Sequence, residues 1–583
     1  RALAVLPVIF FHAGLEIFKG GFIGVDIFFV ISGYLITKIL IEEIENKKFS
    51  LAGFYERRAR RLLPALFFVI LICIPFAWMW MLPDPLENFG QSLVSTSLFS
   101  NNFLLMLTST NYWELKGEFK PLLHSWSLAV EEQYYLLFPI FLMLFLKLGK
   151  KTVFWIIMLI AASSLLYGQW LSQINPLFNF YFTLTRAWEL LAGSITAFVV
   201  NKKGVIRNEI LALLGLLTIL FSLFFYDETL PLPSFLTLIP VMGTILLILY
   251  AEGKTITAKI LASKFFVGIG LISYSLYLWH QPLFAFNRIY QKEPLTDYGS
   301  YLIIIITLFL GFITWKFIET PFRKKNKFTS KTILSLSIFM MLAVSAFGLY
   351  LDRTNGVPQR LFTDDSYKKS SHEIKIAEIK SIDLADLKPK IPNNDHVFIF
   401  GDSFATDLAY LIEYKYPIKL NYTLIQSGMP EKTICDNNIL AKVKTLNVNS
   451  ILFAYDEGFD VSCIESLISA ANMKGVEILF FGTKQFGYNL NWLARLEQNE
   501  RHQLCQTPVF EAIEIDSRDY IKIPKENYFS FFNTFLKNNC LPVTNMKGEL
   551  LSSDRKHFTI SGLEFFADKF FQNENVKRVL SIE

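Results

Sequence analysis

The sequence predicts two architectures in one chain: a polytopic α-helical membrane domain of about 11 spanning helices, then an α/β domain with a parallel sheet. Of 583 residues, 52% are hydrophobic, which is too apolar for one soluble domain. Apolar runs near the ~20 residues that cross a bilayer dominate the chain up to residue 350. From residue 396 onward, short apolar strands alternate with helical stretches, which favours a parallel sheet covered on both faces.

The eleven predicted spans are apolar runs with few charges. A further segment, 86–106, contains Asn88, Gln91, Asn101 and Asn102, so we interpret it as a re-entrant or interfacial piece. The predicted spans cover residues 1–18, 21–44, 62–82, 124–147, 152–171, 180–200, 209–226, 234–251, 265–286, 299–319 and 331–350.

Basic residues cluster in loops that all fall on one side of this helix count, and that side is expected to be cytoplasmic. The N-terminus is then cytoplasmic, and everything after residue 350 is extracytoplasmic. The net charge of +5 is modest, and its placement favours membrane orientation over a nucleic-acid partner. The chain begins with Arg1 instead of Met, so we expect a trimmed N-terminus and an incomplete first helix. The pattern of a cleavable signal peptide is not recognised.

Composition divides the chain into four predicted parts. Residues 1–330 form the membrane domain and 331–350 an additional spanning helix. Residues 351–394 are charged and broken by glycine and proline, which predicts a periplasmic linker with some helix near 370–387. Residues 395–583 form the α/β domain, with strands starting near 396, 450 and 476 and helices near 405–415, 437–446 and 462–474.

Ionisable residues inside apolar helices are costly, so they are functional candidates by default. His12 and Asp26 lie in the first two predicted spans, although each is equally compatible with a packing role. Arg186 and Glu189, three apart in one helix, are compatible with a buried ion pair. Further candidates for a membrane site are His124, Glu131, Glu132 and His280, where the glutamates either orient a histidine or a sugar hydroxyl or serve packing.

Seven stretches in order resemble the membrane-bound acyltransferase 3 family over about 350 residues. They are RALAVLPVIFFHAG, GGFIGVDIFFVISGYLIT, FYERRARRLLPAL, HSWSLAVEEQYYLLFP, TRAWELLAG, SYSLYLWHQP and FIETPFR. The resemblance implies acetyl-CoA as a donor taken up on the cytoplasmic side, with His12 as the catalytic histidine. It also implies that Arg1, Arg58 and Arg61 bind the acyl-CoA phosphates, although positive-inside topology alone accounts for many of these charges.

In the α/β part, GDSF at 401–404 and DRKH at 554–557 resemble the SGNH hydrolase–acyltransferase family. A serine is a weak nucleophile until a histidine takes its proton and a carboxylate holds that histidine, which assigns Ser403, His557 and Asp554. Gly428 in QSGMP best matches the glycine that donates to the oxyanion. The third motif is absent: Tyr455, Asp456 and Glu457 stand where Gly-x-Asn is expected. Without that asparagine, either the Ser403 backbone N–H suffices as the second oxyanion donor or another group substitutes.

Cys73 lies in a predicted span, whereas four cysteines lie in the extracytoplasmic part. An oxidising compartment favours two disulfides, for which three pairings are open. We expect Cys505–Cys540 and Cys435–Cys463. No cysteine or histidine spacing indicates a metal site.

These observations predict a multi-pass O-acetyltransferase of a bacterial inner membrane, with a periplasmic C-terminal domain. It would move acetyl from acetyl-CoA to a cell-envelope glycan: lipopolysaccharide O-antigen or core, another surface polysaccharide, or peptidoglycan. The expected partners are acetyl-CoA, the glycan and the bilayer, with no nucleic acid and no tightly bound cofactor. Transfer through Ser403 and direct transfer in the membrane domain both stay open. The alternatives are a transporter of acylated glycan with a binding module, and a glycan deacetylase.

Overall fold

The computed structural model describes residues 1–108, 117–293, 296–324, 326–362, 378–380, 396–416, 421–426 and 448–582. The chain divides into two compact units. The first comprises residues 1–79, 85–288 and 295–356, and the second comprises residues 80–84, 289–294 and 357–583.

The first unit is helical, and each of the eleven predicted spans contains a helix. The region 86–106, predicted as re-entrant, is divided between two helices, α4 and α5. The helices are α1 (Ala2–His12), α2 (Gly24–Glu45), α3 (Leu51–Trp80), α4 (Pro83–Ser97), α5 (Asn101–Thr108), α6 (Ser125–Phe145), α7 (Lys150–Ser172), α8 (Pro176–Tyr181), α9 (Thr183–Lys203), α10 (Glu209–Phe225), α11 (Leu238–Tyr250), α12 (Ile256–Leu261), α13 (Lys264–Tyr290), α14 (Asp297–Thr314), α15 (Thr320–Arg323) and α16 (Ser330–Arg353).

Six helical segments of the described chain are long and apolar enough to cross a bilayer, which gives the unit its membrane character. Three shorter apolar helices, α1, α10 and the segment around α11, accompany them. The predicted number of eleven spans stays a prediction. The six segments are Glu16–Glu45, Leu51–Trp80, Ser125–Leu148, Lys150–Ser172, Tyr298–Arg323 and Ser330–Arg353.

Two predicted boundaries were wrong. The first helix ends at His12 rather than at residue 18, because Gly14 adopts a positive φ of 76° and the chain continues as a 3₁₀ segment, Glu16–Ile23. The third helix begins at Leu51 rather than at residue 62. Its first turns are charged but strongly helix-forming, and Glu56 pairs with Arg60 one turn later at 2.7 Å.

Glycines let α2 and α9 approach closely. A Cβ on Gly33 would collide with the Leu190 carbonyl, and one on Gly193 would collide with the Val30 carbonyl. This contact brings Asp26 of α2 to Arg186 of α9, with 2.5 Å between Oδ1 and the guanidinium. Arg186 also pairs with Glu189 at 2.9 Å, which confirms the predicted ion pair and supplies Asp26 with a partner.

The second unit contains a six-stranded parallel sheet of order β1-β3-β2-β4-β5-β7, as the sequence predicts for the fold class. The strands are β1 (Glu378–Lys380), β2 (His396–Gly401), β3 (Asn421–Gln426), β4 (Val448–Ala454), β5 (Glu477–Phe481), β6 (Cys505–Gln506), β7 (Tyr528–Phe529) and β8 (Leu541–Pro542), where β6 and β8 pair separately and antiparallel. The helices are α17 (Ser403–Lys415), α18 (Ile464–Asn472), α19 (Phe510–Lys522), α20 (Phe531–Phe535), α21 (Ile560–Gln572) and α22 (Glu574–Leu580).

Alternation along the central strand β2 builds a core on each face of the sheet. Val397 and Ile399 pack into one buried cluster with α17 and α21, whereas Phe398 and Phe400 pack into the other with α18. The strands on either side of β2 are reached by connections in opposite directions, so the carboxyl end of β2 is the expected ligand position. The helix predicted at 370–387 is wrong where the structure describes that segment, because residues 378–380 form strand β1 and pair with β3. The helix predicted at 437–446 lies outside the described residues.

Candidate active sites

Ser403, His557 and Asp554 meet at the carboxyl end of β2. The His557 Nε2 atom lies 2.9 Å from Ser403 Oγ, and its Nδ1 atom lies 2.5 Å from Asp554 Oδ2. All three side chains are largely sequestered from solvent. Because the carboxylate can only accept, Nδ1 carries a proton, and Nε2 is left to accept the proton of the serine hydroxyl. This geometry agrees with the sequence-based expectation and is that of an activated serine nucleophile.

The local sequence explains why Ser403 stands at this point. β2 ends at Gly401, where a Cβ would collide with the Ala454 carbonyl of β4. Asp402 then caps the helix: its Oδ1 accepts the Phe404 N–H at 2.8 Å. Ser403 is therefore the first residue of α17, between a strand end and a capped helix N-terminus. There the helix dipole favours negative charge on the serine oxygen.

The two carboxyl groups beside Ser403, those of Asp554 and Asp402, have pKa values that are shifted in opposite directions. Burial alone would raise the pKa of Asp554, but the His557 charge and the N–H groups of His557 and Lys556 outweigh burial and hold that pKa well below its usual value. Burial raises the pKa of Asp402 to about 6, against the opposing N–H bonds from Asp456 and Phe404. Asp554 is thus ionised at neutral pH and able to stabilise an imidazolium.

The predicted oxyanion glycine, Gly428, lies outside the described residues. At the position of the missing asparagine, the Asp456 N–H donates to Asp402 Oδ2 at 2.9 Å, and the Asp456 carboxylate pairs with Lys556. An ionised carboxylate cannot donate to an oxyanion. The Asp456 side chain therefore does not replace the asparagine amide.

The predicted Cys505–Cys540 disulfide is confirmed, with a Cα–Cα distance of 5.4 Å. It joins β6 to the loop before β8. The second predicted pair includes Cys435, which lies outside the described residues. Cys73 is a buried free thiol in α3.

In the first unit, three histidines from separate helices cluster. The His280 ring centroid lies 5.1 Å from that of His12 and 5.5 Å from that of His124. The His12 Nδ1–H donates to the Val8 carbonyl at 2.9 Å, so in the neutral ring Nε2 carries the lone pair. The His280 Nδ1–H likewise donates to the Tyr277 carbonyl at 2.6 Å. His12 is half-buried, whereas His124 and His280 are buried.

A cavity of about 270 Å³ has Tyr277 in its wall, and Tyr277 contacts the histidine cluster. Ser127 and Tyr277 line the cavity, and their hydroxyl oxygens lie 2.6 Å apart. The Tyr277 ring also contacts the rings of His280 and His124, at centroid distances of 5.0 and 5.5 Å. Tyr277 therefore links the cavity wall to His280 and His124.

Arginines line the cavity away from the histidines. Arg1, Arg58 and Arg61 face the same space, and a cavity of about 280 Å³, with Arg58 and Arg61 in both walls, adjoins it. The second cavity also carries Arg57, Arg60 and Arg323. Among the described residues, Arg58 Nε, Arg60 Nη1 and Arg61 Nε are buried without a hydrogen-bond partner. Buried unpaired donors of this kind suit an anion with several acceptor oxygens.

A family model described as an acyltransferase domain matches residues 1–318. The chain belongs to this acyltransferase family. Its C-terminal unit lies outside that match, so the SGNH assignment stays a prediction. No solved structure matches the chain.

Three relatives extend the comparison. A peptidoglycan O-acetyltransferase, OatA, of Listeria monocytogenes is 31% identical over 385 residues, which cover 60% of this acyltransferase and 62% of the relative. The O-acetyltransferase OatA of Staphylococcus aureus is 34% identical over 352 residues, 56% of each chain. A further S. aureus protein, provisionally named an O-acetyltransferase, is 30% identical over 464 residues, 72% of this chain and 75% of its own. The acyltransferase spans about three fifths of the length of the first two relatives.

The structure places the two glutamate candidates at the arginine side of the cavity. Glu131 accepts hydrogen bonds from Ser32 and Tyr135, both at 2.9 Å, and Glu132 lies 3.9 Å from Arg58. Arg58 stacks on the Tyr135 ring at 3.9 Å. The glutamates thus balance the charge of Arg58 and hold its side chain, whereas among the described contacts neither bonds to a histidine.

Sequence reasoning missed several residues that the acyltransferase brings to its sites. Ser127 and Tyr277 lie within quoted motifs, HSWSLAVEEQ and SYSLYLWHQP, but the histidines and glutamates beside them drew attention first. Asp407 and Lys484, which flank the triad, belong to no motif. Of these missed residues, Tyr277 could have been found from the sequence, because a polar hydroxyl one turn before His280 in an apolar helix indicates a functional candidate.

Proposed function

We propose that this acyltransferase is a membrane O-acetyltransferase that moves acetyl from cytoplasmic acetyl-CoA to hydroxyls of a cell-envelope glycan. The assembled Ser403–His557–Asp554 triad carries the proposal, because a binding module attached to a transporter needs no activated nucleophile. The family match and the names of the relatives support acyl transfer. Since the Listeria relative is named a peptidoglycan O-acetyltransferase, peptidoglycan is the first acceptor to test.

The arginine-lined cavities suit the donor. Acetyl-CoA carries several phosphate groups, and guanidinium groups bind phosphate oxygens in a fork geometry. Arg1, Arg58 and Arg61 would hold the phosphates, while the cavity leads the thioester toward Ser127 and Tyr277, whose ring contacts His124 and His280. His12 Nε2, whose lone pair is fixed by the Nδ1–H bond to Val8, would take the proton of the group that attacks the thioester. As the carbon–sulfur bond breaks, that proton would pass to the CoA sulfur, which leaves as the thiol.

The triad suits the second transfer. Ser403 Oγ would attack the acetyl carbonyl as its proton passes to His557 Nε2, and Asp554 would stabilise the imidazolium. The leaving group would take that proton, leaving acetyl-Ser403. A glycan hydroxyl would then give its proton to His557, attack the acetyl carbonyl and release Ser403, which recovers its proton from His557. Attack by water instead would make the chain a deacetylase, with the same first half-reaction.

The proposed location is a bacterial inner membrane with the second unit extracytoplasmic. Six helical segments of spanning length support the membrane part. The Cys505–Cys540 disulfide supports an oxidising compartment for the second unit, because cytosolic thiols are kept reduced.

The experiment is acetyl transfer by the full chain reconstituted in liposomes, with labelled acetyl-CoA and a soluble peptidoglycan fragment. Ser403→Ala removes one oxygen and should lower labelled glycan by at least about 10³-fold. The matched control is Ser469→Ala, an exposed serine on α18, which should transfer at the normal rate. Normal transfer by Ser403→Ala would refute the catalytic role of the triad. Release of acetate from an acetylated peptidoglycan fragment in the absence of acetyl-CoA, with no transfer from acetyl-CoA, would favour the deacetylase.

A further inference from the structure

Lys484 is fully buried beside the triad, although it belongs to neither motif. It follows β5 by three residues, and its ammonium is inaccessible to solvent. The Nζ atom lies 2.7 Å from Asp407 Oδ2 and donates to the Lys556 carbonyl at 2.6 Å. It also stands 3.6 Å from the centre of the Phe404 ring. Lys556 directly precedes His557, so the ammonium holds the backbone on one side of the catalytic histidine.

Asp407 holds the backbone on the other side. It lies four residues after Ser403 on α17, hence on the same face of the helix one turn later. Its Oδ2 accepts the N–H of Phe558, the residue after His557, at 3.3 Å. The side chain is 1% exposed. The Lys484–Asp407 pair therefore joins the nucleophile helix, the loop after β5 and the peptide groups on both sides of His557.

Stability is a poor explanation for such a pair. Removing two charges from water costs several kcal/mol, and replacing a buried ion pair by apolar side chains is often neutral or stabilising. Geometry is a better one, because misplacing a catalytic group by about 1 Å costs ~10²-fold in rate. The loop SSDRKHF forms no helix or longer strand around His557. Within the loop, Ser552 and Phe558 form a single antiparallel bridge and the Ser553 N–H donates to the His557 carbonyl. The Lys484–Asp407 pair adds contacts from outside the loop.

We propose that Lys484 and Asp407 are positioning residues that fix the backbone on both sides of His557, so that Nε2 stays within hydrogen-bond distance of Ser403 Oγ. The proposal rests on the triad function proposed above. Neither side chain acts on substrate. Lys484 and Asp407 act through the His557 backbone alone, so their effect vanishes when the imidazole is absent.

The test is a double-mutant cycle on acylation of Ser403 by p-nitrophenyl acetate, with the full chain in detergent. The variant Lys484→Met/Asp407→Leu removes both charges and leaves neither buried alone. We expect it to lower the acylation rate by about 10²-fold through kcat, with KM nearly unchanged. In the His557→Ala background the same two changes should alter the residual rate by less than about twofold. The matched control is Lys415→Met/Asp568→Leu, an exposed ion pair that begins on the same helix, α17, and should leave the rate unchanged.

Two results would overturn the positioning role: a wild-type rate in Lys484→Met/Asp407→Leu, or an equal loss in both backgrounds, which would indicate general distortion. If that variant fails to fold, Asp407→Asn serves instead, because its amide keeps an oxygen that accepts the Phe558 N–H. In the same double-mutant cycle, Asp407→Asn should lower the acylation rate by about tenfold, and only in the background that retains His557. Failure of the proposed function would give a different result from failure of the positioning role. In that case Ser403→Ala and His557→Ala would release p-nitrophenol from p-nitrophenyl acetate at the wild-type rate.

Discussion

The two sites of this protein hold their histidines in the same tautomer by different means. In both, Nδ1–H donates and Nε2 is left with the lone pair. The acceptor is a backbone carbonyl, Val8, for His12 but an ionised carboxylate, Asp554, for His557. A carboxylate stabilises an imidazolium far more than a neutral carbonyl does. His557 also has its nucleophile in place at 2.9 Å, whereas the His12 ring lies against the His280 imidazole.

The difference indicates that the triad is pre-organised, whereas the site around His12 is completed only when its substrate binds. Asp554, Lys484 and Asp407 fix His557 before any ligand arrives. Around His12, the Arg288 guanidinium donates to the backbone carbonyl of His12 at 2.7 Å, and an anionic donor bound at the arginine-lined cavities would complete the site. Mutations should therefore separate the two half-reactions.

The largest separation is expected from His12→Ala. Loss of the base should lower transfer from acetyl-CoA to glycan by about 10³-fold or more, because both the proton acceptor and its alignment disappear. Acylation of Ser403 by p-nitrophenyl acetate should stay at the wild-type rate, since that reaction uses the triad alone. The assay is both reactions on one preparation of the full chain. A parallel loss in the two reactions would show that His12 supports folding rather than chemistry.

A smaller separation is expected from the arginines. Arg58→Gln and Arg61→Gln should each raise KM for acetyl-CoA by about 10- to 100-fold, because a charge-assisted bond to phosphate contributes ~1.5–3 kcal/mol. KM for acetyl pantetheine, which lacks the nucleotide phosphates, should hardly change. Steady-state kinetics of the reconstituted chain measure both. Arg207→Ala, an exposed arginine outside the cavities, is the control.

If Arg58→Gln raised KM for both donors equally, phosphate recognition would be the wrong explanation. Loss of the Tyr135 stack and of the Glu132 pairing would then account for the effect.

The smallest expected effect concerns Asp402, whose pKa is raised to about 6 because burial disfavours the ionised form of its side chain. The folded protein binds this proton more readily than the unfolded chain, so the free energy of unfolding rises as pH falls from about 6 to about 4. The rise is on the order of 3 kcal/mol. Asp402→Asn should abolish it.

The measurement for Asp402 is the difference in apparent Tm between wild type and Asp402→Asn at pH 7 and pH 5. The difference should move several degrees in favour of wild type at the lower pH. Asp516, whose pKa burial also raises to about 6, titrates in both proteins and cancels. The contribution of Asp554, whose pKa is lowered, is fully present above the ordinary aspartate pKa and starts to be lost only below it, outside the range from pH 7 to pH 5. A pH-independent difference would contradict the assignment of the proton to Asp402.

Local patterns explain what the sequence predicted. Ser403 belongs to a four-residue motif, GDSF, that directly follows a predicted strand. Asp554 and His557 lie in one loop. The triad could therefore be proposed from two short segments. The long helices of the first unit could be predicted from the length of the apolar runs in the sequence. The start of α3 at Leu51 was missed because hydropathy alone does not register Arg58 and Arg61 as helix formers.

The missed contacts join distant segments. Asp26 meets Arg186 across 160 positions, and Lys484 meets Asp407 across 77 positions. No periodicity and no shared motif links the two partners of either pair, because tertiary packing alone brings them together. The absence of Gly-x-Asn was visible in the sequence, but the pairing of Asp456 with Lys556 was not.

The central claim is that acetyl from acetyl-CoA reaches the glycan through Ser403. The most direct measurement is mass spectrometry of the full chain quenched during turnover with labelled acetyl-CoA and a limiting amount of glycan acceptor. The account predicts labelled acetyl on Ser403 that disappears when excess acceptor is added, and no label on Ser403 in His12→Ala. Labelled glycan formed at the normal rate by Ser403→Ala, with no acetylated serine in wild type, would contradict it.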